Sequence, residues 1–128
     1  MNTQSILRFA LAAILLVACT TDLSAAEPAP EHAAMVVKLM TAIEKTDYDS
    51  FVADGEPAFR QLKREQFDAI AERLAPRLQS EHVVTFLGEL KQHGYQVSLW
   101  KVSFKDGTDD ALASLSLKDG KVGGFFIR

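Results

Sequence analysis

Cysteine is all but missing from this chain: Cys19 is the single one in 128 residues. No intramolecular disulfide and no thiolate metal cluster can be built from one thiol, so the fold has to hold by packing. A broad basic face is missing too. The formal net charge is −3, and lysines and arginines such as Lys38, Arg60, Arg73, Arg77, Lys91 and Lys101 are scattered, with no run above two. That argues against nucleic acid or an anionic membrane surface as partner. The longest apolar run, Phe9–Ala18, has ten residues, half of the roughly twenty that a membrane-spanning helix takes. The three histidines, His32, His82 and His93, show neither HxH nor HExxH spacing, so no zinc site and no other cofactor is expected.

What the amino terminus does have is the pattern of an export signal over residues 1–26: Arg8, the apolar run, then small residues. Two processing routes fit it. Ser24-Ala25-Ala26 before Glu27-Pro28 offers small residues for cleavage and a soluble product starting at Glu27. Leu16-Val17-Ala18-Cys19 resembles a bacterial lipobox, in which Cys19 is lipidated. Either route exports the protein to the periplasm or beyond. Residues 27–30, with two prolines, read as an extended spacer, and residues 31–128 as one domain. A hydrophobic share of 48% is enough for that domain to have a packed core.

The first half of the domain reads as helical. Val36, Leu39, Met40 and Ile43 fall at i, i+3, i+4 and i+7, with Glu31 near the start and Lys45 near the end of the same helix. Asp47 or Asp49 is expected to cap a short second helix that ends near Asp54-Gly55. Pro57 suits a first helical position, and Phe59 and Leu62 are expected to point inward there. Phe67, Ile70, Ala71 and Leu74 repeat the helical spacing, and Ala75-Pro76 is expected to end that helix.

The second half reads as strands over 82–91, 95–105, 110–118 and 121–128. Asp106-Gly107 and Asp119-Gly120 are hairpin signals, because a tight primed turn needs positive φ at its centre. The first hairpin, around Gln92-His93-Gly94, fits a loop of two or three residues. If both Asp-Gly turns are tight, Trp100 opposes Ala113, Val102 opposes Ala111, Leu117 opposes Val122, Leu115 opposes Gly124 and Ala113 opposes Phe126. Directly opposed residues share a face. One face then collects Trp100, Val102, Leu115, Leu117, Val122 and Phe126, a core or ligand-pocket face to which Val36 and Met40 would be apposed. The other mixes Lys101, Ser103, Ser114 and Ser116 with Leu99, Leu112, Phe125 and Ile127, as an interface would.

Helices followed by a four-stranded antiparallel meander make an α+β plan. The order of elements, the run Thr46-Asp-Tyr-Asp-Ser-Phe51, and Phe86-Leu-Gly-Glu-Leu-Lys with Gly94-Tyr, Trp100-Lys and Asp119-Gly-Lys resemble the nuclear transport factor two-like superfamily. That is the cone fold shared with ketosteroid isomerases and polyketide cyclases, and its small exported, uncharacterised members are the ones this chain looks like. A cystatin-like helix-on-sheet domain is the alternative plan. The superfamily's enzymes carry a tyrosine with an acid, or an aspartate–histidine pair, inside the cone, and no such motif can be matched here residue by residue. Fold does not bring function with it. The candidates for acid–base chemistry at the cone mouth are Tyr48, Asp49 and His82, although aspartates beside a helix junction are also ordinary caps. Asp106, Asp109 and Asp110 lack the order of a calcium loop, and Gly123-Gly124 does not lead a strand into a helix as a phosphate loop does.

The expectation is an exported, non-enzymatic module that holds a small apolar ligand in the cone, or forms a homodimer or binds a partner through its mixed sheet face. The alternative is a small isomerase, cyclase or hydrolase. Export is checked by the intact mass of the mature protein. A start at Glu27 is the soluble outcome, a diacylated start at Cys19 is the anchored one, and an unprocessed chain contradicts both.

Overall fold

A computed structural model describes residues 26–128, so the export pattern and Cys19 lie outside the described residues. Local backbone devices place the helices. Pro30 and Pro57 stand at the first turns of α1 (Pro30–Glu44) and α3 (Pro57–Arg60), where a fixed φ helps and a missing N–H costs nothing. Asp47 caps α2 (Tyr48–Val52): its carboxylate accepts from the Ser50 amide at 3.1 Å and from the Ser50 hydroxyl at 2.6 Å. Those bonds hold the Asp47 carboxyl below its ordinary range. Thr46, in the left-handed region at φ 54, closes α1, and the Asp47 amide donates back to Ala42 O at 2.7 Å.

The last helix, α4 (Arg64–Gln79), differs from the expected stop at Ala75-Pro76, because it carries Pro76 inside it. Proline removes a single backbone donor there. Leu78, 3% exposed, is part of the core, and the Ser80 hydroxyl donates to Arg77 O at 2.6 Å. Burial of one leucine is worth about 2 kcal/mol, which offsets much of the roughly 3 kcal/mol that an interior proline costs.

Strands β1 (His82–Gln92), β2 (Tyr95–Phe104), β3 (Ala111–Lys118) and β4 (Lys121–Ile127) form one antiparallel sheet in that order, which completes the α+β plan. His93-Gly94 and Asp119-Gly120 both have positive φ at the two central positions, as tight primed turns require. The β2–β3 connection is instead a six-residue loop over 105–110, in which Thr108 N and Oγ1 donate to the Asp106 carboxylate at 2.9 and 2.7 Å. The expected pairs Trp100–Ala113 and Val102–Ala111 are nevertheless found, since the wider loop keeps the parity of the tight one.

In β4 the register departs from expectation. Leu117 opposes Val122, but Ser116 opposes Gly124, so Gly123 is an extra residue. Beyond it Leu115 faces Phe125 and Ala113 faces Ile127, rather than Gly124 and Phe126. Phe125 is accordingly 8% exposed in the core and Phe126 is 64% exposed on the other face. The bulge position demands glycine: a Cβ at Gly123 would stand 2.3 Å from the Tyr95 ring. Tyr95 in turn donates its hydroxyl to Glu56 Oε2 at 2.5 Å, a bond that raises the phenol's pKa above its ordinary value. The Glu56 amide donates to Val122 O at 2.8 Å and Val122 N donates to Asp54 O at 2.9 Å, so segment 54–56 lies parallel against the start of β4.

The core lies between the helices and one sheet face. Val36, Leu39, Met40 and Ile43 of α1 and Phe67, Ala71, Leu74 and Leu78 of α4 pack with Trp100, Val102, Ala113, Leu115 and Phe125.

This register yields a contrast measurable by urea unfolding. Phe125→Ala should cost about 3–4 kcal/mol, whereas Phe126→Ala should stay within about 0.5 kcal/mol of wild type. Gly123→Ala, driven into the Tyr95 ring, should cost about 1–3 kcal/mol. Equal losses for the two phenylalanines would contradict the bulge.

Candidate functional site

Three places have a geometry worth weighing: the interior under α1, the outer sheet face, and the cleft beside β4. The interior is occupied. Val36, Met40, Trp100, Val102 and Leu115 are each at most 5% exposed and touch one another's cluster rather than an open chamber. Beside Met40, Leu78, His82 and Val84 a recess of about 90 Å³ remains, a fraction of the roughly 300 Å³ at which ligand pockets begin, and at the start of α1 an open hollow of about 410 Å³ lies beside Glu31, His32, Gln96 and Leu117.

Within that interior lies a polar cluster that sequence reasoning did not assemble. His32 is 1% and Ser98 0% exposed, and His32 Nδ1 stands 2.8 Å from Ser98 Oγ. The same oxygen accepts from Trp100 Nε1 at 2.9 Å. A serine beside a histidine is the pairing of an activated nucleophile. This serine has no exposed surface and already serves an indole, so no substrate carbonyl can reach it. Its effect is to bind the first turn of α1 to the middle of β2. His32 Nε2 is buried without a hydrogen-bond partner among the described residues. The signal was present in the sequence: His32 precedes Val36 by one helical turn, and Ser98 has the parity of Trp100.

The acid–base candidates do not converge. The Tyr48 hydroxyl donates to Leu62 O at 2.6 Å, its ring packs edge-on against Phe67, and Arg64 lies 4.7 Å above it. Asp49 is exposed and sits 3.6 Å from Arg64, a pairing worth little in water. His82, at the start of β1, has Nδ1 2.9 Å from Ser80 O and lines the recess of α1 and α4, away from Tyr48. Asp106 spends its carboxylate on Thr108.

The expected interface residues divide. Leu99 and Leu112 lie on the outer face, half-buried and 38% exposed, opposite Ser114 and Lys101. Phe125 and Ile127, expected beside them, are turned to the inner face by the bulge, while Phe126 leaves the inner face and joins the outer one opposite Ser114. With Val83 and Leu90, which oppose Ser103 and Val97 of β2, they form an apolar surface on the side away from the helices.

Beside β4 a cleft of about 430 Å³ opens between Phe59, Leu62, Gln66 and Ile70 on one side and Gly123–Phe126 on the other. Further along, Arg73 and Arg77 face Ile127 and Arg128 across a second opening of about 240 Å³. Arg77 donates to Asp109 O at 2.6 Å and stacks 4.1 Å over Phe104.

No protein-family model and no curated protein matches this chain. Among solved structures it is similar to an uncharacterised cystatin-fold protein from Novosphingobium aromaticivorans, at 15% identity and TM-score 0.41 over 74% of this chain and 95% of that one. An NTF2-like protein of unknown function from Cytophaga hutchinsonii gives 9% and 0.40 over 75% and 87%. TerC co-crystallised with polyporic acid gives 12% and 0.41 over 77% and 90%.

The buried cluster is tested by Ser98→Ala, which strips a shared partner from Trp100 Nε1 and His32 Nδ1. A loss of about 2–3 kcal/mol in urea unfolding is expected; a loss below about 0.5 kcal/mol would mean that water or a rotated hydroxyl already does this work.

Proposed function

We propose that the protein is an exported, non-enzymatic binding module that pairs reversibly with a second copy of itself through the outer face of its sheet. The observation that carries this reading is where the apolar surface lies. The centre of the helix side, under α1, is packed, while the opposite side leaves Val83, Leu90, Leu112 and Phe126 exposed by 49, 40, 38 and 64%. Exposed apolar residues gathered on one face mark an interaction surface more often than scattered ones do. Lys101 stands among them, and its aliphatic stem can lie along apolar neighbours while its charge reaches water.

A second copy suits this face because an antiparallel sheet mates with its own image by aligned packing about 10 Å apart, and a twofold axis makes each contact count twice. Size sets the strength. Four strands about 4.8 Å apart and about seven residues long present roughly 450 Å² in projection. The standard interface buries about 800 Å² per partner, so the dimer is expected to be reversible rather than obligate. The non-enzymatic part is supported by the engagement of Tyr48, Asp49 and His82 with Leu62 O, Arg64 and Ser80 O. Export rests on the pattern of residues 1–26.

Size-exclusion chromatography with light scattering checks the pairing. The mass should rise with concentration toward that of two chains, and Leu112→Asp with Phe126→Asp should hold it at one. A strict monomer at high concentration, unchanged by the substitutions, rejects this function.

A further inference from the structure

We propose that the groove between α4 and the free edge of β4 binds an extended peptide of another protein, which adds to the sheet as a strand. It borders the outer face argued above, with which it shares Phe126, and it begins with the backbone. Leu112 and Arg128 exchange both of their backbone hydrogen bonds, at 2.8 and 3.0 Å. Antiparallel pairs alternate between bonded and non-bonded, so Phe126 and Gly124 point their amides toward β3. Phe125 and Ile127 then present N–H and C=O to the open side of the sheet, where no backbone partner meets them among the described residues.

The chain itself shows how that edge is filled. Segment 54–56 already lies against Val122 in parallel, with one bond each way. Pro57, which has no N–H, opens α3 and carries the chain off the edge. The remaining edge, Gly123–Ile127, contains neither charge nor proline to blunt it; the bulge at Gly123 lies at its start. An added strand would continue the line that segment 54–56 begins.

Side chains define what fits. Gln66, Ile70, Arg73 and Arg77 recur along one side of α4 and wall the two openings beside β4. Gln66 to Arg77 along a helix and Gly123 to Arg128 along a strand each span about 17 Å, so the two openings follow one another along β4 over about five residues. A helix wall on one side admits a lone strand more readily than the edge of a second domain. The Phe59–Leu62–Ile70 end is apolar and the Arg73–Arg128 end is cationic. The ligand is therefore an extended segment with apolar side chains at alternate positions and an acidic residue, or a terminal carboxylate, at the arginine end. Strand addition draws affinity from main-chain bonds and specificity from alternate side chains.

The test is a displayed library of random nonapeptides panned on the purified protein, with the enriched sequences then made as fluorescent peptides. Sequences alternating apolar and polar residues with an acidic end should be enriched. Their Kd should rise at least tenfold in Ile70→Glu and Arg73→Glu, which lie on α4 and leave the sheet intact. Ile127→Pro deletes an outward N–H but no bond to β3, and should weaken binding to the same degree if it folds. In the complex, the Phe125 and Ile127 amides should gain protection from hydrogen exchange. No enrichment, full affinity in both α4 variants, or protection elsewhere than on β4 would overturn the proposal. So would a wild-type dimer whose contact is this edge.

Discussion

The geometry of β4 turns on the space that the Tyr95 ring takes from residue 123. There is no room for a Cβ there; at this glycine the strand carries one extra residue, and every side chain beyond it changes faces. Phe125 then closes the core, packing edge-on against Phe51 at 6.3 Å, and Phe126 is left outside. The same tyrosine reaches Glu56, whose amide holds the entry of α3 to Val122. One aromatic ring thus links the first hairpin, the bulge and the segment that lies beside β4.

A second constraint works from the inside. Ser98 receives the Trp100 indole and meets His32, so the first turn of α1 is tied by directional bonds to the strand beneath it. Apolar packing alone tolerates slippage, whereas directional bonds between buried polar groups favour one arrangement. With α1 so anchored, Val36, Leu39, Met40 and Ile43 are all buried, and the exterior of the sheet and its edge are the surfaces to which we assign recognition.

Much of this plan could be read from residues in sequence. The period of Val36–Ile43 gave α1, Pro57 gave the start of α3, Asp47 gave a cap, and Asp119-Gly120 gave a primed turn whose register holds as far as Leu117–Val122. Beyond that point the reading failed for a tertiary reason: nothing near Gly123 announces that Tyr95 will lie over it. The Pro76 error is of the same kind, since local chemistry argued for a stop and the burial of Leu78 overruled it. At the candidate sites, Tyr48, Asp49 and His82 were chosen by residue type, and their partners turn out to be backbone carbonyls and an exposed arginine. His32 and Ser98 were legible as positions on buried faces but not as a pair, because one lies on a helix and the other on a distant strand.

The central claim is that the outer sheet face, and not the space under α1, is the surface this protein uses. A dilution series of amide NMR spectra tests it directly. Resonances of Val83, Leu90, Leu99, Leu112 and Phe126 should move with protein concentration, while those of His32, Val36 and Met40 stay fixed. Concentration-dependent shifts centred on α1, or none on the outer strand positions, would contradict the account.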